Sequence, residues 1–503
     1  MSQATFDKVC EHARETAMLR SVTELLEWDE RTKMPPAAGE YRAEQITYLS
    51  SKTHQRHTDP QLGAWLNELA ETDLAADPNS DAGATIRQMR REYDKLTKVP
   101  QRLVEELTRL SVLGQQAWVE ARKNDDFAAF SPLLEKIVKL KREQADAVGY
   151  EECCYDALLD DYEPGETTKN VTAVLEGLRK DLVPLVAAIA ESSKKPDMEI
   201  LKRTYPIPAQ EEFGTQAAKA IGFEFNRGRL DVTHHPFCCG MGPNDTRLTT
   251  RYDENFFPSS FFSILHEAGH GIYDQGLRTE QFGLPPGMYL SLGIHESQSR
   301  MWENMVGRSE TFWQHFFSPA QATFPDALTG VSRDDFYFAI NDVRPSLIRV
   351  EADEATYNLH IIIRFELEQA LINDGLAIAD LPDAWNQKYR DYLGIEPPND
   401  ADGVLQDVHW SAALIGYFPT YALGNLYSAQ FFAQAGQDVG PLDEQFARGQ
   451  FTPLLDWLRE KIHSPGQRYP ANDLIANVTG KPLSHQPLIG YLRAKYTPLY
   501  NLG

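Results

Sequence analysis

The stretch Ser259–Leu277, "SSFFSILHEAGHGIYDQGL", reads as one buried helix that starts near Pro258-Ser259 and ends near Gly276, with His266 and His270 on either side of Glu267. Residues four apart lie on one helix face, so both imidazoles can reach a single ion. Chance places H-E-x-x-H in a chain of this composition at a rate on the order of 0.03, so the pattern alone only suggests a site. Its apolar flanks add weight. Two buried imidazoles without a partner carry a desolvation cost, and a metal ion relieves it. Asp274 continues the series, but it stands eight residues from His266, roughly 12 Å along the axis and too far to converge. The longer pattern with a glycine and third histidine fails, because Tyr273 and Gly276 occupy those positions. A third ligand has to come from another segment.

Outward from this helix, periodicity of the helical kind dominates the chain. Phe6 to Met34 is amphipathic and stops at Pro35-Pro36. "PQRLVEELTRLSVLGQQAWVEARK" starts with Pro100 at a helix start, and "TTKNVTAVLEGLRKDLVPLVAAIAESS" carries Pro184 as a kink. The pattern changes between Gly222 and Asp253, where Gly240, Gly242, Pro243 and Asn244 give turn signals among Thr, Val, Phe and Tyr. A small antiparallel sheet is expected over 222–255, with an edge strand available to an extended peptide. The predicted fold class is mainly α.

Length and composition narrow the function. At 503 residues, 42% hydrophobic and 24% charged, the chain is long enough for two or three ordinary domains of a globular enzyme. The 49 Lys+Arg against 73 Asp+Glu leave a net charge of −24, which repels nucleic acid and anionic membrane, so neither is expected as a partner. The N-terminus is charged from Asp7 and has no apolar core of a signal peptide, and no apolar run reaches about 18 residues. The odd set of five cysteines, with adjacent pairs at 153–154 and 238–239, suits a reducing cytoplasm.

A catalytic zinc takes three protein ligands and leaves one position open. "SLGIHESQSRMWENMVG" from Ser291 offers His295 and Glu296 at the start of a second helix. Neighbouring helical positions diverge by about 100°, so one of the two faces the ion, and spacing does not choose between them. Glu267-x-x-His270 is also the di-iron bundle motif, with a second copy at Glu460-x-x-His463. That copy ends a charged amphipathic helix, where a histidine suits the helix dipole, and di-iron is the weaker reading.

Seven motifs in order resemble the carboxypeptidase Taq family of zinc metallocarboxypeptidases over nearly the whole chain. They are His235-Pro236-Phe237, Asp245-x-Arg247-x-Thr249, His266-Glu267-x-x-His270, His295-Glu296-Ser297, Ile348-Arg349-x-x-Ala352-Asp353, Gly403-x-x-Gln406-Asp407-x-His409-Trp410 and "GYFPTYALGNLY" from Gly416. The resemblance implies Glu296 as third ligand and one Zn2+ per chain, for which Co2+ can substitute. It implies a cytoplasmic homodimer and a single saddle-like helical unit, 1–503, similar to neurolysin and angiotensin-converting enzyme. Within it, 1–200 form a helical N-terminal part or lid, and 256–430 the zinc site and a deep groove.

Roles follow. Glu267, beside the ion, takes a proton from water and returns it to the leaving amine. His409 and Tyr421 match positions that donate hydrogen bonds to the substrate carbonyl in the related peptidases, while Tyr417 is divided evenly between that role and packing. Gln406 and His235 are expected along the substrate, although "HPFCC" reads chiefly as packing at the groove edge rather than a second metal site. A carboxypeptidase must recognise a free carboxylate, which arginine holds best through two parallel hydrogen bonds. Arg349 is the first candidate and Arg247 the second, against a plain ion pair of Arg349 with Glu351 or Asp353. Glu351, Asp353 and Glu354 are read as favouring a helix N-terminus. The expected activity is release of single C-terminal residues from peptides with a free C-terminus. The alternatives are an oligoendopeptidase and, more remotely, a di-iron protein or a non-catalytic scaffold.

Overall fold

The computed structural model describes residues 2–373 and 375–502. It begins with four helices, α1 (Ser2–Thr32), α2 (Gly39–His57), α3 (Pro60–Ala70) and α4 (Asp81–Lys98). Asp59 and Ser80 cap α3 and α4 by accepting from Gln61 N and Gly83 N. α1, α3 and α4 enclose a small core of Val9, Leu62, Leu66, Leu69 and Ile86, separate from the main one.

The main core takes over at α5 (Gln101–Asn124) and α6 (Phe127–Val148). α5 follows Pro100, as its sequence predicts, and Asp126 caps α6. α7 (Cys154–Leu159), α8 (Thr168–Glu191) and α9 (Ile207–Ile221) continue the layer. α8 runs through Pro184 as one unbroken helix. Within the first 200 residues, the change from the small core to the main one therefore falls between α4 and α5.

Three strands follow: β1 (Gly228–Val232), β2 (Cys238–Gly242) and β3 (Asp245–Thr250). The sheet is mixed rather than antiparallel. β3 lies in the middle, parallel to β1 and antiparallel to β2. The β2–β3 hairpin turns on Pro243-Asn244, with Asn244 at φ 65°, as the turn signals predict. β1 and β2, joined by the connection over Thr233–Phe237, do not pair with each other, and β3 enters between them. β2 is an edge strand, but the Ser21 hydroxyl of α1 already donates to its Met241 carbonyl.

α10 (Phe257–Gly276) packs on this sheet, and α11 (Leu292–Arg300) crosses it and passes into a π-helical turn, Met301–Val306. α12 (Glu310–Thr323), α13 (Pro325–Leu328), α14 (Arg333–Ile340), α15 (Tyr357–Ile372) and α16 (Leu381–Leu393) lead to α17 (Pro419–Val439), which lies along α11. Phe213, Phe257, Phe261, Trp313 and Phe324 form a continuous aromatic cluster behind the N-terminal half of α10. Rings packed edge-on and offset hold that helix rigidly, which suits a platform for ligands.

Candidate metal and catalytic centre

α10 and α11 cross at a distance that only glycine allows. A Cβ on Gly269 would lie 2.6 Å from both the Gln298 carbonyl oxygen and Ser299 Cα. On the far side of α11, a Cβ on Gly424 of α17 would lie 2.6 Å from Glu296 Cγ. These two contacts press Glu296 against the histidines. Its Oε2 stands 3.7 Å from His266 Nε2 and 3.4 Å from His270 Nε2. Among the described residues, His266, His270 and Glu296 form the one group of three metal-ligand types whose donor atoms lie within 4.8 Å of one another.

The structure thus separates the two neighbours on α11. His295 turns away, with Nε2 3.1 Å from Asp274 Oδ1 and its ring stacked on His270 at 4.5 Å. Asp274 anchors that histidine and is not a ligand. The π turn after α11 supplies a residue that the sequence reading missed: Glu303 Oε2 lies 2.9 Å from His266 Nδ1. That bond turns His266 Nε2 toward the ligand group, as an outer carboxylate does for a metal-bound histidine. Glu303 and its neighbour Arg300 stand seven and four residues beyond Glu296, so helical spacing was the signal that could have found them.

Charges at the centre are strongly perturbed. Burial pushes Glu267 up to about 7, with Glu296 and Glu303 adding to the rise and His266 and His295 opposing it. Burial and neighbouring His295 bring His270 down to about 4, so its imidazole is neutral and free to donate an electron pair. Burial also opposes the charge on Glu296, but Arg300, His266 and His270 outweigh it and hold the carboxylate well below its ordinary range. Two imidazole nitrogens and one ionised carboxylate, all largely buried, match the donor set of a catalytic metal site.

A second layer near Glu296 comes from the loop before α17 and from that helix's first turn. His409 Nε2 is 3.4 Å from the Tyr421 hydroxyl, and their rings adjoin Tyr417. Burial takes His409 down to about 4. The buried carboxylate of Glu368 fixes this loop by accepting from Tyr155 Oη, Trp410 Nε1 and Gly416 N at 2.6, 2.8 and 3.0 Å. Glu163 does the same between α11 and α17, accepting from Gly293 N and from Thr420 Oγ1. A Cβ on Gly293 would fall 2.7 Å from its carboxylate, which explains the glycine before His295-Glu296.

Arg349 is buried and pairs with neither Glu351 nor Asp353. Its Nε and Nη2 both lie 2.8 Å from Asp407 Oδ1, and Nη1 donates to Tyr357 Oη at 2.9 Å. Arg364 approaches the other Asp407 oxygen at 2.7 Å, so two buried guanidinium groups share one carboxylate. Gln406 braces the pair by accepting from Arg349 N and Arg364 Nη2. Asp353 does cap the chain entering α15, accepting from Ala355 N and Thr356 N. Glu354 has a different role from the one read in the sequence: it pairs with Lys495 and Tyr496 in the interior. Arg247 is held by Asp245 of its own strand and stacks on Trp28 of α1 at 4.4 Å, and His235 is exposed between β1 and β2.

The second Glu-x-x-His pair does not assemble. Glu460 is exposed beside Lys461. His463, expected at a solvated helix end, is instead fully buried against Gly276 and bonded to Gln298 Oε1 at 3.0 Å.

The family model described as carboxypeptidase Taq (M32) metallopeptidase matches residues 8–496. The chain is 47% identical over 508 aligned positions to thermostable carboxypeptidase 1 of Thermus thermophilus, with 99% of each chain covered. It is 40% identical to carboxypeptidase 1 of Bacillus subtilis, over 95% of each. The crystal structure of M32 carboxypeptidase from Deinococcus radiodurans R1 superposes with a TM-score of 0.96 at 39% identity, covering 99% of this chain and all of the other.

Proposed function

The chain belongs to the carboxypeptidase Taq metallopeptidase family, and we propose from that premise that one zinc ion on His266, His270 and Glu296 serves its peptidase reaction. The protein is a metallocarboxypeptidase, a hydrolase acting on the C-terminal bond of peptides. The observation that carries the zinc reading is the convergence of three donor atoms around a helix that also presents Glu267.

When bound, a divalent ion there supplies a Lewis acid that acidifies water and polarises the scissile carbonyl. Glu267 is placed to accept the water's proton, and its raised proton affinity fits a group that must later give that proton to the leaving amine. Tyr421, with His409 beside it, is the donor for the carbonyl oxygen as charge develops there. Arg349 receives the terminal carboxylate. The excess of guanidinium over carboxylate around Asp407 supports this role, because a second anion completes the charge balance. Arg247 and His235 are at most outer contacts, and Gln406 acts by bracing Arg349.

The homodimer reading is supported by α2, which has no buried side chain and leaves Tyr41 and Tyr48 exposed, as the adjoining α1 leaves Met18 and Val22. Light scattering at twice the monomer mass is the expected result. The five cysteines are free, which favours a reducing cytoplasm. No helix among the described residues is long and apolar enough to cross a membrane.

Timed mass spectrometry of a peptide incubated with the zinc-loaded protein tests the reading of the activity. Residues are expected to leave singly from the C-terminus, and an amidated end should block them. Elemental analysis should find one zinc per chain, lost in Glu296→Ala. Internal fragments at the first time point, or two irons per chain, would contradict it.

A further inference from the structure

A network of partly buried charge borders the ligand group on the side of α11 and the π turn. Arg300, one helical turn beyond Glu296, donates from Nε to Glu296 Oε1 at 2.7 Å. Its Nη1 lies 3.4 Å from Glu303 Oε2, the oxygen that also meets His266 Nδ1. Arg308 Nη2 stands 3.5 Å from the other Glu303 oxygen. The guanidinium of Arg300 packs 4.6 Å from the centre of the Tyr357 ring, so it is held on a face as well as at its edge.

The two oxygens of Glu296 are therefore not equivalent. Oε2 points between the two histidine Nε2 atoms, and its one other partner among the described residues is the neutral Ser299 hydroxyl at 3.2 Å. Oε1 is engaged by a cation in a charge-assisted hydrogen bond, the strong kind. We propose that Arg300 is a positioning residue that makes Glu296 a one-oxygen metal ligand, keeping Oε1 for itself and leaving Oε2 for the ion. This rests on the reading of His266, His270 and Glu296 as the metal ligands.

The chemical consequence is a matter of coordination number. A catalytic site must keep a position open. A carboxylate binding through both oxygens takes one more position than a carboxylate binding through one. Arg300 prevents this without occupying a position itself. Glu303 balances the added positive charge, so that neither the arginine nor the outer carboxylate stands alone in the interior. It also fixes His266 with Nε2 toward the ion.

The test uses cobalt(II) as the probe, because its visible absorption reports coordination number. Apoprotein is titrated with cobalt, and the wild type is compared with Arg300→Met, Arg300→Lys and Glu303→Ala. The wild type should bind one cobalt per chain with the intense bands of a four- or five-coordinate ion. Arg300→Met should still bind one cobalt, but with bands weakened roughly twofold or more as both oxygens of Glu296 engage. Arg300→Lys should recover part of that intensity. Glu303→Ala should weaken metal affinity about 10- to 100-fold in competition with a chromophoric chelator, without a change in coordination number. An unchanged spectrum in Arg300→Met with cobalt bound overturns the proposal and leaves the metal reading standing. No cobalt uptake by the wild type removes both. If Arg300→Met fails to fold, X-ray absorption of the zinc-loaded wild type decides: one Glu296 oxygen at ligand distance supports the proposal, and two overturn it.

Discussion

In the proposed mechanism, a single atom of Glu267 separates binding from chemistry. Glu267→Gln preserves the shape of the side chain and removes the oxygen that accepts a proton. Zinc content and peptide affinity should be kept, while kcat falls by about 10^2- to 10^4-fold in a steady-state assay. A variant retaining a tenth of wild-type kcat would rule out this base. Tyr421→Phe deletes the proposed donor to the carbonyl oxygen and should lower kcat about 10^2- to 10^3-fold, with little change in zinc affinity. Arg349→Ala should raise KM strongly for peptides with a free C-terminus and leave the poor reaction with amidated peptides unchanged. The exchange is structurally tolerable because Asp407 keeps Arg364 as a partner.

Between elements, the centre depends on close approach. Gly269→Ala places a methyl group 2.6 Å from the backbone of α11. Separating the two helices should cost about 1–3 kcal/mol of stability, as overpacking does. Because Glu296 then moves from the histidines, zinc should restore less of the melting temperature than in the wild type. A second prediction concerns Glu163, between α11 and α17, whose carboxyl burial pushes up to about 8. A raised carboxyl favours the folded state below its ordinary range near 4, and that contribution is lost as pH rises through about 8. Urea unfolding should show stability falling over this interval, and Glu163→Gln should flatten the fall while retaining an acceptor for Gly293 N. At this scale the sequence was readable wherever its rules are local. The helix carrying His266, its ends, the start at Pro100 and the turn at Pro243-Asn244 all follow from spacing and backbone preference. Strand order was not, because nothing within Gly228–Thr250 states that β3 enters between β1 and β2. The partner of Arg349 was sought two and four residues away and lies 58 residues on, at Asp407. His463 was read from its neighbours, whereas its burial is decided by α10 and α11.

The molecule as a whole carries a second, smaller core in α1–α4, joined to the body by a small apolar contact of Cys10 and Ala13 with Leu284 and by several polar contacts. Arg278 grips Asp81 with two bonds of 2.8–2.9 Å, Arg87 donates to the carbonyls of Gln467 and Arg468, and Arg91 and Lys95 meet Asp160. Polar interfaces of this kind open more readily than apolar ones. Hydrogen exchange should therefore be faster in α3 and α4 than in α10 and α11, and Arg278→Ala should accelerate it in α4 without releasing zinc. Between this unit and the body lies a cavity of about 480 Å³, whose walls include Tyr93, Tyr162, Tyr289 and Ser291. A space of that size suits a small ligand or a short extended peptide. Because its walls come from both the smaller unit and the body, loosening of the polar seam alters the volume of this cavity while the crossing of α10 and α11 stays as it is.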